Sequence, residues 1–493
     1  MKIKKILLFI PPALSFKKRI DINPLPPLGL GYLGSTLEKY GFEVKIVDSL
    51  IEGWNNRTNV ADGVIRIGLS FEDIEKIIID FDPDIVGVNN LFTRQRENAH
   101  KIYALAKNSK KDIITIAGGA HPSVMPELVL GDSNVDYVIL GEGDKTIIDL
   151  MYALKNSGDL SKLDGIGYRE GNAIKIIPKS IFIKDLDGLP FPAWHLLNME
   201  KYFGLKVSHG DRQKKRFSPV ITSRGCPAHC TFCSAYAVWG RGFRPRSPEN
   251  VIFELKELKK LYNIEEIMFE DDNLTLDPQR AEALFDAMIR EQLNLTWDTP
   301  NGIAAWTLSE NLLNKMKQSG CRNVNFAIES GNQQVLDFVI KKPLKLEKVK
   351  PLVSYAKKIG LNVGLFLVIG MPGETEEQIW DSFRLAVELG IYTPHISVAT
   401  PYPGSELYDR CKSQKLFKPD FSLDDLYIRS FSIAGGQLDD IKLRKILADG
   451  QRYLYASFFK KHPFAFIRLV IFKFFRDPGA FIRKLSAYLS GQE

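Results

Sequence analysis

The chain has 493 residues, of which 45% are hydrophobic and 25% charged, with a net charge of +7. This is the composition of an ordinary globular protein with room for about three cores, at roughly 150 residues each. The modest positive charge forms no single basic run and so does not indicate nucleic-acid binding, and five cysteines argue against a disulfide scaffold.

The opening "KKILLFIPP" lacks a small-residue cleavage site and reads as a buried first strand rather than a signal peptide. The expected compartment is the reducing cytoplasm. Short apolar runs then recur: "KKILLFI", "FEVKIVD", "DIVGVNN", "DIITIAGG" and "DYVILGEG". Helical periodicity fills the gaps, as from Leu28 to Tyr40 and from Arg96 to Lys107. Continuous apolar strands separated by helices predict a parallel sheet covered on both faces, here a flavodoxin-like doubly wound α/β domain. Such sheets bind ligands at the carboxyl ends of their strands. Those ends here are "GVNN", "AGGAHP" and "GEGD", rich in glycine that lets backbone approach a ligand. Read structurally, they are only turns.

A hairpin, "GIGYREGNAIKII", closes this unit, so the first domain spans residues 1–180 and a proline-rich linker 181–215. A second series runs through 216–410: "PVITS", "EEIMFED", "LTWDTPN", "NVNFAIES", "NVGLFLVIG" and "HISVATPYP". Six βα units predict an open, partial barrel rather than a closed eight-fold one. Its first strand leads into "SRGCPAHCTFC", where Cys226, Cys230 and Cys233 crowd one loop. Three thiolates at this spacing suit a 4Fe–4S cluster with one iron left open. Zinc would want a fourth ligand, for which His229 is the candidate. Cys321 and Cys411 read as small buried hydrophobes.

The CxxxCxxC pattern resembles that of radical S-adenosylmethionine enzymes, and the later strand ends agree: "FEDDN" (269–273), "IESG" (328–331), "GLFLVIGMPGETEE" (364–377) and "TPYPGSELY" (400–408). The resemblance implies that S-adenosylmethionine chelates the open iron and is cleaved by an electron from the cluster to a 5′-deoxyadenosyl radical. It carries over Asp272, Glu329, Ser330 and Arg241 as contacts to S-adenosylmethionine. The structural reading of Glu329 is a helix cap, and "GMPGET" reads equally as a turn into the next helix.

No cysteine precedes Cys226, which separates the chain from methylthiotransferases and their second cluster. The first domain instead resembles the cobalamin-binding domain of the cobalamin-dependent branch, through "PPLGLGYLGSTLEKYGFEVKIVD" (26–48), "DPDIVGVNN" (82–90), "GGAHPSVMPE" (118–127) and "VDYVILGEGDKTI" (135–147). Together the two resemblances span about residues 1 to 410. The DxHxxG motif that supplies a histidine to cobalt elsewhere is absent. The resemblance therefore implies a cobalt without a histidine beneath it. Asn89, Asn90 and Thr93 would face the lower side of the corrin, Gly118, Gly119, Gly141 and Gly143 would line the tail pocket, and His121 would touch the tail or the linker.

These cofactors imply a methyltransferase acting on an unactivated carbon, or on phosphorus, through a 5′-deoxyadenosyl radical and methylcobalamin. The alternatives are a cyclase or oxidative-rearrangement enzyme with the same cofactors, and a cobalamin-binding sensor or carrier with an idle barrel. No motif identifies a catalytic acid or base. The expected partners are a small-molecule substrate and a low-potential electron donor. Residues 411–493 read as helical, and "KKHPFAFIRLVIFKFFRDPGAFIRKLSAYL" (460–489) mixes Phe, Ile and Leu with basic residues. Its apolar stretch is too short to span a bilayer. It either packs on the barrel or lies at a membrane surface, where a lipid or other hydrophobic substrate would fit.

Overall fold

The computed structural model describes residues 3–17, 20–205, 207, 209–210, 212–427, 431–434, 438–476 and 479. The amino-terminal sheet has seven strands: β1 (Lys5–Ile10), β2 (Glu43–Asp48), β3 (Ile85–Asn89), β4 (Ile114–Gly118), β5 (Tyr137–Ile139), β6 (Ile166–Glu170) and β7 (Ala173–Ile177). Their order across the sheet is β7-β6-β5-β4-β3-β1-β2, with β1 to β5 parallel and the β6–β7 hairpin added antiparallel. This is the flavodoxin-like order the apolar runs predict, and its direction reverses between β1 and β3. The central strands are apolar on both faces because helices cover both: Ile6, Leu7, Leu8 and Phe9 of β1 are all buried. A small antiparallel sheet of Ala13–Phe16, Arg57–Ala61 and Val64–Ile67 sits beside this layer. The sequence reading missed it, since Arg57–Ala61 is wholly exposed and has no hydrophobic alternation to find.

The second series forms β8 (Phe217–Val220), β9 (Glu266–Phe269), β10 (Thr296–Asp298), β11 (Asn323–Glu329), β12 (Asn362–Ile369) and β13 (His395–Val398). They pair in parallel as two three-stranded sheets, β8-β9-β10 and β11-β12-β13. Isolated parallel bridges, Trp297 with Cys321 and Ile303 with Phe326, join the two into one open barrel. Trp297 shows how the outer helices are held. It stacks on Phe285 of the helix Pro278–Arg290 at 5.1 Å and meets Phe269 edge-on at 5.3 Å. Burying one such side chain contributes about 3 kcal/mol. Helix starts are set locally: Ser247 and Asp277 each cap a helix that begins with proline, and Thr375 forms a capping box with Gln378.

Beyond the barrel, the helix Asp440–Lys461 packs on the helix Glu376–Glu388, with Trp380 against Tyr453, and Phe458 stacks on Tyr392 at 4.7 Å. The following helix, Pro463–Arg476, touches the first through Phe466 but leaves Phe464, Ile467, Ile471 and Phe475 exposed. Pro478, Arg483 and Lys484 of the basic tail lie outside the described residues or their described side chains. Among the described residues no helix is long and apolar enough to cross a membrane.

Candidate functional site: a cysteine loop facing a corrinoid-type sheet

The carboxyl ends of the two sheets face each other. The loop after β4 reaches the barrel's last strand end, where a side chain on Gly404 would strike Val124 Cγ1 at 2.3 Å. The loop after β5 abuts the chain leaving the cysteine loop, with Val238 O 3.1 Å from where a side chain on Gly141 would sit. Strand-end chemistry from both halves is thereby gathered into one region.

Cys226, Cys230 and Cys233 follow β8 on a loop that is tied down along its length. Thr231 donates its N–H to Ile340 O and its hydroxyl to Val339 O, both at 2.9 Å, while Thr231 O accepts from Leu407 N at 2.8 Å. Arg241 donates to Ala228 O at 2.9 Å and lies over the Tyr236 ring. The three cysteines are half-buried and electrostatically coupled, whereas His229 is exposed. Burial raises the pKa of each thiol, that of Cys230 to about 11, with the nearby Lys342 pulling it down. Thiols held protonated in this way must release protons when they bind a metal. Among the described residues, no three His, Cys, Asp or Glu side chains converge on a single ion. A donor set of three thiols from one loop suits a cluster, whereas a structural zinc site takes four protein ligands.

Around the cysteines stand two of the four residues expected to meet S-adenosylmethionine. Asp272 lies beside Cys226 and Cys233 and accepts from Gly225 N; its side chain reaches solvent, but the protein packed around it, then the charge of Asp271, raises its pKa to about 6. Glu329 lies beside Cys230, at a bulge that ends β11, with φ of 72°. A left-handed glutamate is strained, which suits a residue held for a purpose. Ser330 is buried and takes up Asn332 N in a local turn at 3.2 Å, and Arg241 braces the cysteine loop from behind. Glu374 of "GMPGET" accepts from Gly370 N at 2.8 Å and Met371 N at 3.1 Å, so it closes its own turn.

Sequence reasoning missed Lys342. Its ammonium is buried against Glu329 Oε1 at 3.1 Å and lies over Trp306. Burial works against its charge, but Glu329, and Cys230 and Cys226 once ionised, raise its pKa overall. "IKKP" carries no motif, so only the fold could reveal it. Cys321 and Cys411 are buried away from the loop, as expected of small apolar side chains.

On the facing sheet, the loops after β3 and β4 are locked together. Asn90 N donates to Gly118 O, His121 N to Asn90 O, and His121 Nδ1 meets Thr93 Oγ1 at 3.1 Å. Gly119 has φ of 101°, and a side chain there would strike Asn89 Oδ1 at 2.3 Å. Gly118 borders open space. Leu91 and Phe92 project into solvent at 51% and 66% exposure, although His121 Nε2 and Asn90 Oδ1 nearby are buried without a hydrogen-bond partner. Exposed apolar side chains beside unsatisfied buried polar atoms fit a flat, mainly apolar macrocycle with a polar appendage. Gly143 packs on Ile139 and Leu33.

A parallel sheet whose strand-end loops leave Gly118 open, set against a partial barrel with a three-cysteine loop, defines a two-domain protein of the corrinoid and radical S-adenosylmethionine type. The B12 binding domain model matches residues 23–151 and the radical SAM superfamily model residues 220–386. Cytidylyl-2-hydroxyethylphosphonate methyltransferase of Streptomyces wedmorensis is 39% identical over 85% of this chain and 84% of its own. An uncharacterized methyltransferase of Pyrococcus horikoshii is 36% identical over 83% of each. Among solved structures, the methyltransferase TsrM of Kitasatospora setae, with cobalamin and a 4Fe–4S cluster bound, superposes with a TM-score of 0.67 at 18% identity, covering 84% of this chain and 78% of that one. OxsB, with aqua-cobalamin and S-adenosylmethionine bound, gives 0.70 at 16%, covering 99% and 75%. The chain belongs to the cobalamin-dependent radical S-adenosylmethionine methyltransferases. Its cofactors are a 4Fe–4S cluster, S-adenosylmethionine and cobalamin, and it is a methylating enzyme.

Proposed function

We propose that Cys226, Cys230 and Cys233 hold the cluster, that Asp272 and Glu329 meet the polar groups of S-adenosylmethionine, and that the β3 and β4 loops hold the corrin. The observation that carries this is the convergence of Asp272, Glu329 and Lys342 on the three thiols. When bound, the cofactors would supply a one-electron cleavage of S-adenosylmethionine and a transferable methyl group. The chain's own residues do the rest. Asp272 and Glu329 offer carboxylates to ammonium or hydroxyl donors, with Lys342 balancing Glu329. Leu91 and Phe92 exclude water from the corrin face, and His121, held neutral by burial, offers Nε2 as a polar contact. Ser330 and Arg241 support the site from its edges. In the same reading, residues 1–180, 181–215, 216–410 and 411–493 remain the domain, linker, barrel and tail.

The substrate reading follows the 39% identity to a phosphonate methyltransferase: a small molecule carrying a phosphonate, methylated on an unactivated carbon. Anaerobic reconstitution tests it. Iron at about four per chain, a corrin absorption band, deoxyadenosine release and a product heavier by CH₂ are expected. Anaerobic cyclases appear among the relatives at 26% identity or less, and a product mass without added CH₂ would favour that chemistry instead. A low-potential electron donor in a reducing cytoplasm completes the proposal.

For the tail, peripheral membrane contact is supported by the apolar edge of Phe464, Ile467, Ile471 and Phe475 next to Lys460, Lys461 and Arg468. Sedimentation with anionic liposomes tests it: a chain truncated after His462 that sediments as well as the full one would refute it.

A further inference from the structure

Four charged side chains from both halves of the molecule meet out of solvent beside the cysteine loop. Glu142 and Asp144 begin the helix Gly143–Asn156. Arg224 Nη1 donates to Glu142 Oε1 at 2.6 Å and Asp144 Oδ2 at 2.8 Å. Arg244 Nη1 donates to both carboxylate oxygens of Glu142 at 2.9 Å and to Ile183 O at 2.6 Å. Glu142 Oε2 also accepts from Ile183 N at 2.8 Å. The side chain of Glu142 has no exposure at all.

The two arginines are the feet of the cysteine loop. Ser223–Arg224 enters it, Arg244–Pro245 leaves it, and the two segments pair antiparallel with Arg224 opposite Arg244. Like charges directly opposed across a strand pair repel. Glu142 relieves that repulsion by bonding both guanidiniums at once. The feet are also pressed together, because a side chain on Gly225 would lie 2.3 Å from Gly242 O. One carboxylate at the end of the corrinoid sheet therefore grips the cysteine loop at both ends.

A buried ion network of this kind is a poor source of stability, since desolvation offsets most of its attraction. What it does provide is direction. Resting on the functional reading above, we propose that Glu142 is a positioning residue. It sets the distance and angle between the cysteine loop and the loops proposed to hold the corrin, and so governs how efficiently a corrin reduced to Co(I) by titanium(III) would take the methyl group as the S–CH₃ bond of S-adenosylmethionine breaks and S-adenosylhomocysteine leaves.

The test uses the reconstituted holoenzyme and needs no substrate. Glu142→Gln keeps the shape and the Ile183 contact but loses the charge that bridges two arginines. Pulsed EPR would read the separation of the cob(II)alamin and reduced-cluster spins. With S-adenosylmethionine and titanium(III) citrate as the sole reductant, corrin methylation and deoxyadenosine release would be followed in parallel. Iron and corrin contents are expected to match wild type, with a shifted or broadened spin separation. Corrin methylation should slow about tenfold or more relative to deoxyadenosine release, where a misplacement of about 1 Å costs up to about a hundredfold. An unchanged separation and ratio, or a proportional fall in both activities, would overturn the proposal. If Glu142→Gln does not fold, Asp144→Asn removes only the Arg224 half of the network and should shift the same ratio in the same direction; an unshifted ratio there overturns it equally. Wild-type protein that binds neither iron nor corrin would overturn the functional reading, and this proposal with it.

Discussion

The Lys342 ammonium lies 3.1 Å from Glu329 Oε1, both side chains at or below 10% exposure, beside the three cysteines. Two elements that no motif connects, the end of β11 and the chain after the π-helical turn Val335–Ile340, meet in this pair. Removing one partner of a buried pair leaves an uncompensated charge and costs about 3 kcal/mol or more. Lys342→Met should therefore lower the unfolding free energy of the apo-protein by about that amount, measured by guanidinium denaturation. Adding Glu329→Gln should restore part of the loss, because no bare carboxylate then remains.

Cys230→Ser should abolish iron binding while leaving corrin binding intact. The thiol sits on the barrel loop, and none of the residues proposed to face the corrin bonds to it. Iron assay and corrin absorbance on one reconstituted sample decide the point; a variant that loses both would show the two sites to be interdependent.

Gly119→Ala should do the reverse. At φ of 101° a side chain is strained, and its Cβ would fall 2.7 Å from Asn90 O as well as striking Asn89. The loop must open to relieve this, at a cost of about 2 kcal/mol. Corrin affinity should fall about thirtyfold with iron content unchanged, as read by titration with hydroxocobalamin.

Burial, helped by the charges of Arg96 and His100, lowers the pKa of His121 from 6.5 to about 4. On unfolding the imidazole regains its ordinary basicity, so the unfolded chain binds the proton first as pH falls. The stability tied to this group is complete above about pH 6.5 and is lost progressively as pH drops toward 4, by about 3 kcal/mol in all. Urea denaturation of the apo-protein across that window should show a steeper decline for wild type than for His121→Gln. Parallel slopes would contradict it.

Much of the fold could be read from local pattern. Five apolar runs predict β1 to β5 because a strand covered on both faces must be apolar throughout, and six more predict β8 to β13. The exposed strand Arg57–Ala61 escaped because nothing in it is buried. At the candidate site, Cys226, Cys230 and Cys233 were legible because three thiols stand close together in one short loop. Asp272 and Glu329 were named through the family resemblance of their strand ends, and the structure sets both beside the cysteines. Gly141 was expected to face a cofactor, and the structure sets Val238 and Lys179 against it.

The chain alone determined which residues could bear chemistry and which elements would present them, since spacing and hydrophobic period act over a few residues. Tertiary structure alone decided that Lys342 would balance Glu329 and that Glu142 would hold Arg224 and Arg244 together. Charges pair through space once water is excluded, and the partners in such a pair can stand anywhere in the sequence.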